Sequence, residues 1–226
     1  MISVVVPVRN EAALVQGALA ALRAQACSVP VELIVVDGGS TDATAARAAQ
    51  VPGVRCLHAA PGRARQMNAG AAAARGELLL FLHVDTRLAP GALQMLAAAT
   101  AQGLRAGAFR HRFSHPDWRL RLISRGHNLK CRLTGIYYGD HGMFVARELF
   151  ESLGGFPEVD ILEDVIFCER LRRHARGRLL EAEAVTDARR FLQQGIWRTT
   201  ARGLLILARH RLGLTPGGRG FSQEVR

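Results

Sequence analysis

ISVVVPVRNEAALVQGALAALRAQACSVPVELIVVDGG, residues 2–39, contains two runs of strand-forming residues separated by a run of helix-forming residues. The segments ISVVVPV and VELIVVDGG are rich in valine and isoleucine, which is typical of buried strands. Between them, EAALVQGALAALRAQA repeats apolar residues at the spacing of an amphipathic helix. A strand, a crossover helix and a second strand predict a right-handed unit in which the two strands lie parallel.

The same alternation continues towards the middle of the chain. TDATAARAAQ and RARQMNAGAAAARG are typical of helices, whereas VRCLHA and ELLLFLHVD are typical of strands. Further along, AGAFRHRF and GMFVAR favour strands, and LFESLGG and DVIFCERLRRHA favour helices, in a less regular order. We therefore expect an α/β fold with a mostly parallel sheet flanked by helices, followed by a mixed second half.

Length and cysteine content restrict the class of protein. A chain of 226 residues with 49% hydrophobic residues is typical of one folded domain. The four cysteines lie far apart with no C-x-x-C pair, which argues against zinc and against a disulfide framework. The N-terminal segment MISVVVPVRNE has no basic lead-in and its apolar run stops at Pro7, so we expect neither a signal peptide nor a membrane span. These features predict a cytoplasmic protein.

The chain is strongly basic, with a formal net charge of +11. Such a charge favours either nucleic acid or an anionic membrane surface as a partner. However, Lys130 is the only lysine, and the abundance of Ala, Arg and Gly is also what a GC-rich genome produces. Because no helix-turn-helix, aromatic RNA-binding motif or basic zipper is present, we expect no nucleic-acid partner.

Polar residues follow three of the predicted strands: PVRNE after the first, DGGSTD after the second and HVDT after the fourth. Open α/β sheets bind ligands beyond the carboxyl ends of their strands, so the three clusters predict one shared polar site. One such cluster alone would be unremarkable, since Ser40 or Thr41 could simply cap the next helix. Residues two apart on a strand face the same side, so we expect His83 and Asp85 to project together from the end of the fourth strand.

The ordered set VVPVRNE, VVDGGSTD, GRARQMNAG, LHVDT and GGFPEVDILEDVIFCERLRR resembles the family 2 glycosyltransferases, which have the GT-A fold. The resemblance covers residues 2–176. Within that family, the forms GRARQMN and GDHGMF are most similar to a bacterial subgroup associated with arsenosugar biosynthesis. The resemblance implies transfer of a sugar, with inversion, from a nucleotide-diphosphate donor to an acceptor hydroxyl of a small or lipid-linked molecule.

The resemblance also implies which residues bind the nucleotide. In the family, the aspartate that closes the second strand binds the base, which here is Asp37. The other implied nucleotide-binding residues are Pro7, Arg9, Glu11, Arg63, Gln66 and Asn68. Two alternatives remain open from the residues themselves: Asp37 caps the following helix, and Arg9 is a surface arginine. GRARQMNAG would supply donors at the start of a helix, where anions bind; Arg63 is preferred there, with Arg65 as a nearly equal alternative.

The metal site departs from the family pattern. Family members usually have an Asp-x-Asp pair at the end of the fourth strand, where a carboxylate binds the divalent cation of the sugar diphosphate. Here the sequence is His83-Val84-Asp85, so Asp85 keeps the position of that carboxylate. The resemblance therefore implies Mn²⁺ or Mg²⁺ at Asp85. His83 is either a second ligand or a hydrogen-bonding group for ribose or phosphate.

The pair Glu163-Asp164 begins a predicted helix. By the resemblance, Asp164 is the general base that deprotonates the acceptor, and Glu163 orients it or contacts the sugar. From the residues alone, two acids in a first helical turn are equally explained by the helix dipole.

Asp140 and His141, in YYGDHGMF, lie where the subgroup would recognise donor or acceptor, although a structural turn is an equal alternative. His141 could also complete a metal site with Asp85.

The C-terminal part differs from the rest of the chain. From Arg189 onward it contains eight arginines and one acid, Glu224. We therefore expect a glycosyltransferase domain over residues 1–188 and a basic helical extension with a mobile tail over residues 189–226. The extension either packs on the domain, contacts the inner face of an anionic membrane or binds another protein. The rival functions are a nucleotidyltransferase and a nucleotide-binding protein without glycosyl transfer.

Overall fold

The computed structural model describes residues 1–214, so the tail that the sequence predicts to be mobile lies outside the described residues. The strands within that range are β1 (Ile2–Val8), β2 (Val31–Asp37), β3 (Val54–His58), β4 (Leu78–Phe81), β5 (Thr86–Leu88), β6 (Ala106–Phe113), β7 (Met143–Ala146) and β8 (Arg178–Thr186). The helices are α1 (Val15–Arg23), α2 (Thr44–Ala49), α3 (Arg63–Ala73), α4 (Ala92–Ala101), α5 (Trp118–Thr134), α6 (Arg147–Ser152), α7 (Glu163–Leu171), α8 (Arg189–Gln194) and α9 (Ile196–Arg211). A 3₁₀ turn spans Gly139–His141.

The strands of this part of the chain form one sheet in the order β3-β2-β1-β4-β7-β6-β8-β5. The first four are parallel neighbours, with β1 between β2 and β4. Beyond β4 the sheet is mixed, because β7 runs antiparallel to both β4 and β6, whereas β6 and β8 are parallel. The predicted parallel half and mixed half are thus confirmed.

Two apolar cores lie on opposite faces of the sheet. Along β1, Val4 and Val6 belong to one core and Val5 to the other, as the alternation of a strand requires. Helices α1 and α4 cover the first face, and α3, α6 and α7 cover the second. Burial of β1 on both faces explains its unbroken apolar sequence.

The end of β4 differs from the sequence prediction. The strand stops at Phe81, and the amide of Thr86 donates a hydrogen bond of 3.0 Å to the carbonyl of His83. His83 and Asp85 therefore lie in a turn between β4 and β5, and the prediction that they share one face of a strand is wrong. The short strand β5 then pairs with β8, far along the chain, which explains why the local pattern did not reveal it.

The C-terminal helices pack partly on the domain. Ile196 and Thr199 of α9 are buried, and Phe191 of α8 contacts Phe113 with ring centroids 4.7 Å apart. Among the residues described, no helix has the length and apolar character needed to cross a membrane. One face of the predicted extension therefore belongs to the folded protein.

Substitutions at two helical glycines test how the helices pack against the sheet. Gly70 of α3 lies against β1, and an added Cβ would overlap the Val5 side chain, whereas Gly126 of α5 has open space. We expect Gly70→Ala to lower the free energy of unfolding by about 1–3 kcal/mol, because the contact is overpacked. Gly126→Ala should raise it by up to about 1 kcal/mol through helix propensity. Urea denaturation measures both, and equal effects of the two variants would contradict the packing described.

Candidate active site

The loops after β1 and β2 form one wall at the carboxyl edge of the sheet. The amide of Asn10 donates to Ser40 Oγ at 2.9 Å, and the amide of Thr41 donates to Asn10 Oδ1 at 2.8 Å. Asn10 has a φ of 53°, which is uncommon for a residue other than glycine. The clusters PVRNE and DGGSTD are thus held together as the sequence predicts.

Asp37 is buried at the end of β2, with 5% of its surface exposed. Its carboxylate accepts hydrogen bonds from the amide and the hydroxyl of Ser40, and Nδ1 of His58 lies 3.5 Å from it. These bonds form a turn ahead of α2, but Asp37 does not cap that helix, because α2 begins at Thr44 and its N-cap residue is Ala43. A carboxylate has about four acceptor positions, so Asp37 retains capacity for a further donor.

Gln66 ties the ends of the first two strands together. Its amide nitrogen donates to the carbonyl of Val8 at 2.8 Å and to that of Val36 at 2.9 Å. Gly38 leaves the room for this side chain, since a Cβ there would lie 2.7 Å from Gln66 Cδ. Both amide hydrogens of Gln66 are used, so the residue positions the strand ends and has no donor left for a nucleotide.

Pro7 is half-buried in β1 beside Val36, and the residues after it reach the cleft. The buried Nε of Arg9 has no hydrogen-bond partner among the described residues. Glu11 forms an ion pair of 3.2 Å with Arg189, the first residue of α8. Burial raises the pKa of Glu11 against the effect of Arg189, and the nearby charge of Asp85 adds to the rise. Glu11 of the first polar cluster therefore lies near enough to Asp85 of the third to be affected by its charge.

The start of α3 is joined to the start of α7. Arg63 lies 3.3 Å from Glu163, and the Arg63 side chain is 39% exposed whereas the Glu163 side chain is 3% exposed. Burial lowers the pKa of Arg63, but Glu163 and Asp164 raise it above its ordinary value. Arg65 instead pairs with the exposed Glu158 at 2.9 Å. Of the two arginines, Arg63 is therefore the one that lies beside the Glu163-Asp164 pair.

Asn68 connects α3 to the loop before α7. Its side-chain amide donates to the carbonyl of Phe156 at 2.9 Å, and its oxygen accepts from the amide of Phe156 at 3.0 Å. Both ends of the side chain are used in holding the GGFPE loop. Asn68, like Gln66, therefore supports the wall of the site.

Asp164 is half-buried at the start of α7 and is held by backbone donors. The amide of Gly139 donates to its Oδ2 and that of Val165 to its Oδ1, each at 2.7 Å. Burial raises the pKa of Asp164, and the neighbouring charge of Glu163 raises it further. The preceding Leu162 has a φ of 66°, a strained conformation of the kind that concentrates at functional sites.

His83 and Asp85 lie in the turn after β4. The buried Nε2 of His83 has no hydrogen-bond partner within the described range, and a Cβ on Gly139 would lie 2.5 Å from the ring. Burial, with a smaller contribution from Arg63, lowers the pKa of His83 to about 3, so the imidazole is neutral. Burial raises the pKa of Asp85, whose Oδ1 accepts a hydrogen bond of 3.3 Å from the Thr86 hydroxyl.

Asp140 points its carboxylate at two imidazoles. Nε2 of His111 lies 3.5 Å from Oδ2, and Nε2 of His141 lies 3.8 Å from Oδ1. Burial would raise the pKa of Asp140, but these imidazoles together with His127 lower it overall. The side chain of Asp140 is 29% exposed, whereas that of His141 is fully buried. The structure therefore places the His141 imidazole in the interior and not on a surface that a substrate reaches.

The edge of the sheet therefore combines a carboxylate that has a raised pKa and is held by two backbone amides, a turn with a carboxylate and a neutral imidazole, and arginines. The family sequence profile with the description Glycosyl transferase family 2 matches residues 3–153. The chain belongs to this family.

Individual proteins of known sequence or structure are also similar to this glycosyltransferase. An uncharacterized protein, MT1568, of Mycobacterium tuberculosis (strain CDC 1551 / Oshkosh) is 42% identical over 197 residues, covering 76% of this chain and 61% of that protein. The mannosyltransferase PcManGT from Pyrobaculum calidifontis, in complex with GDP-Man and Mn²⁺, is 24% identical with a TM-score of 0.62 over 81% of this chain and 56% of the other. TarS 1–349 of S. aureus, in complex with UDP-GlcNAc, is 21% identical with a TM-score of 0.58 over 81% and 55%.

The likeness to the solved structures shows that the fold is the GT-A fold. The chain spans about three fifths of the curated relative and a little over half of each of these solved chains. The activities and ligands of those whole proteins are therefore considered below as proposals.

Four residues of this family 2 protein that lie near the predicted site residues were not themselves predicted to belong to the site: His111, His127, Arg189 and Arg190. Burial, together with the charges of Arg63 and Arg202, lowers the pKa of Arg190, and Asp85 opposes this effect. His111 shares a strand face with Phe109 and Phe113, so the alternation of residues along β6 predicts that His111 is buried. It does not predict that other histidines lie beside it. No spacing along the chain indicates these neighbours, because tertiary structure alone brings them together.

The Arg63–Glu163 pair can be tested against the Arg65–Glu158 pair. Arg63→Gln should lower the free energy of unfolding by about 1–3 kcal/mol, because it leaves the buried Glu163 carboxylate unpaired. Arg65→Gln should change it by no more than about 1 kcal/mol, since both partners are exposed. Adding Glu163→Gln to Arg63→Gln should restore part of the loss. A cost of Arg63→Gln as small as that of Arg65→Gln would contradict the importance of the first pair.

Proposed function

We propose that this protein transfers a sugar from a nucleoside-diphosphate donor to an acceptor hydroxyl with inversion of the anomeric configuration. The observation on which the proposal mainly rests is Asp164, a carboxylate with a raised pKa that is held by two backbone amides at the edge of the sheet. Structural relatives that bind GDP-Man with Mn²⁺ and UDP-GlcNAc support a nucleotide-sugar donor.

The donor would occupy the wall formed by the loops after β1 and β2. In this proposal Asp37 accepts from the base, and Arg9, with its unpartnered Nε, binds base or phosphate. Glu11 lies near the ribose, beside Pro7. Arg63 stands at the start of α3, where backbone amides and the helix dipole favour the diphosphate. Gln66 and Asn68 act indirectly, by fixing the strand ends and the GGFPE loop.

The turn after β4 fits a divalent cation. Asp85 supplies a carboxylate, and His83 supplies a neutral imidazole whose buried Nε2 has no other hydrogen-bond partner in residues 1–214. Carboxylate ligands suit both Mn²⁺ and Mg²⁺, and the additional nitrogen favours Mn²⁺. When bound, such a cation would neutralise charge on the departing diphosphate.

Asp164 is proposed as the general base. It would accept the proton of the acceptor hydroxyl as that oxygen attacks the anomeric carbon in a single displacement. Its raised pKa makes it a stronger base than an ordinary aspartate near neutral pH. Glu163 would act indirectly, by holding Arg63 in position through their ion pair. Asp140 is exposed enough to contact the substrate. Membership of the arsenosugar-associated subgroup and the identity of the acceptor, small or lipid-linked, remain predictions.

Nucleotide binding can be measured as thermal stabilisation. With GDP or UDP at 100 times Kd plus Mn²⁺, the melting temperature should rise by roughly 5–10 °C. Asp37→Ala should lose most of this rise. Asp85→Asn should lose the part that depends on Mn²⁺, whereas His83→Asp should keep it, because it restores paired carboxylates. Absence of any rise with either nucleotide, or an effect of His83→Asp larger than that of Asp85→Asn, would count against the assignment.

The general base is tested by Asp164→Asn, with Asp160→Asn as the control because Asp160 is an exposed aspartate in the preceding loop. Transfer should fall by about 10²- to 10⁴-fold in Asp164→Asn, while nucleotide affinity changes only a few-fold. In the wild type, transfer should decline on acidification with a midpoint above the ordinary aspartate pKa of about 4, since protonation removes the base. The role would be refuted by near-normal transfer in Asp164→Asn.

A membrane contact is part of the proposal, with residues 1–188 responsible for transfer and α9 of the extension for the contact. Helices α5 and α9 contain basic residues but no Asp or Glu. Their exposed large apolar side chains are Trp118, Leu122, Leu129, Leu133, Trp197, Leu204 and Leu205. The two helices are neighbours, with the ring centroids of Trp118 and Trp197 6.4 Å apart, and exposed apolar side chains beside basic ones favour the anionic inner face of a membrane.

Vesicle flotation distinguishes this contact from a protein-binding surface. The protein should bind vesicles containing anionic phospholipid and release them in high salt, while binding zwitterionic vesicles weakly. The double variant Leu204→Asn/Leu205→Asn should reduce binding several-fold, whereas Met95→Gln, an exposed apolar position on α4, should not. Equal binding of the two variants would contradict a contact through α9.

A further inference from the structure

Three histidines from separate elements meet beneath Asp140. They are His111 of β6, His127 of α5 and His141 of the 3₁₀ turn, and one ring nitrogen from each lies within 4.8 Å of the others. The ring centroids of His111 and His141 are 5.2 Å apart, and those of His111 and His127 are 5.9 Å apart. Together, these three histidines form a group that could bind a metal ion.

The backbone holds two of these histidines in register. The side-chain amide of Asn128 donates to the carbonyl of His111 at 2.9 Å, and its oxygen accepts from the amide of His111 at 2.8 Å. Since Asn128 follows His127 in α5, this double hydrogen bond fixes the helix against β6 at the level of both imidazoles. The cluster is therefore built into the packing of α5 on the sheet.

Several polar atoms of the cluster are buried without a hydrogen-bond partner in the described chain. They are both ring nitrogens of His111, Nδ1 of His127 and Oδ1 of Asp140. His111 is only 2% exposed. An unsatisfied buried polar group costs about 1–3 kcal/mol, so several such atoms facing one another point to a missing common partner.

The tautomer of His141 identifies the charge of that partner. Nδ1 of His141 lies 3.2 Å from the carbonyl oxygen of Phe109, which can only accept, so Nδ1 bears the hydrogen. Nε2 then has a lone pair, and it lies 3.8 Å from Oδ1 of Asp140. Two acceptors facing each other are stabilised by a cation between them. A carbonyl that orients the far nitrogen of an imidazole is also the usual second partner of a metal-binding histidine.

We propose that His111, His127, His141 and Asp140 bind a first-row transition-metal ion, with Zn²⁺ as the best fit. Three imidazoles and one carboxylate are the ligands of tetrahedral zinc, whereas Mg²⁺ and Ca²⁺ prefer oxygen. Bonds of about 2.0–2.1 Å place tetrahedral ligands about 3.4 Å apart, so the ion would draw the ring nitrogens closer together. Burial also lowers the pKa of all three histidines, which keeps them in the neutral form that binds metal.

The site would brace the loop beside the proposed general base. Asp140 and His141 both belong to the 3₁₀ turn, and Gly139 of the same turn donates to Asp164. A metal ion would therefore fix this turn to β6 and α5. The site uses none of the ligands proposed for the cation at Asp85 and His83, although Asp140 lies near both of them, and its existence does not depend on glycosyl transfer.

Metal titration of the full-length protein, after treatment with a chelator, tests the proposal. Added Co²⁺ should give visible absorption bands of a tetrahedral site at one ion per chain, and Zn²⁺ should displace it. Zn²⁺ should also raise the melting temperature at concentrations where Mg²⁺ does not. His127→Gln should weaken Co²⁺ binding at least about tenfold. His174→Gln is the matched control, because His174 is exposed and outside the cluster.

His127→Gln is the variant best suited to keep the fold, because His127 is only half-buried. Circular dichroism checks that this variant is folded. If His127→Gln fails to fold, Asp140→Asn provides the same test. Unchanged Co²⁺ binding in the folded variant, no Co²⁺ or Zn²⁺ binding by the wild type, or loss of the Co²⁺ bands in Asp85→Asn but not in His127→Gln would each overturn the proposal.

Discussion

The ion pair between Arg63 and Glu163 joins the two halves of this family 2 glycosyltransferase. Arg63 begins α3 of the parallel half, and Glu163 begins α7 of the mixed half, one hundred residues later. A buried carboxylate is tolerated only with a partner, so the pair fixes the start of α7 against the edge of the sheet. Asp164 then follows in position to face the cleft, where the amide of Gly139 holds it.

Other contacts at that edge serve the same purpose. Gln66 locks the ends of β1 and β2, and Asn68 locks the loop that leads into α7. Gln66 donates both of its amide hydrogens to the backbone, and Asn68 uses its nitrogen and its oxygen there. By contrast, Arg9, His83 and Asp140 each have a buried atom without a hydrogen-bond partner in the described range. Supporting and ligand-facing roles are therefore separated between side chains of the same motifs.

The parallel half was predictable because its signals are local. The strands β1 and β2 are runs of β-branched residues, and their polar ends meet wherever parallel strands are neighbours. The mixed half was less predictable, since β8 has the sequence RLLEAEAVT and is defined by pairing with β6 and β5. The helix α5 is likewise absent from the local pattern that the sequence analysis used.

The candidate site divides in the same way. Motif order singled out Asp37, Arg63 and Asp164; the structure puts Asp37 at the end of β2 and Arg63 against Glu163 beside Asp164, and their roles are proposals. The turn at His83 and Asp85 could not be predicted, because β4 ends early where β5 leaves to pair with β8. The meeting of His111 and His127 with Asp140 depends on three elements distant in sequence, so only the folded chain reveals it.

The central claim is that this edge of the sheet performs inverting glycosyl transfer. Proton NMR of the first sugar released from α-linked GDP- and UDP-sugars, with Mn²⁺ present, tests it most directly. The account predicts that the first-formed product has the β configuration and equilibrates only afterwards, as a single displacement requires. An α product would contradict the mechanism, and no turnover of any nucleotide sugar in the panel would contradict the function.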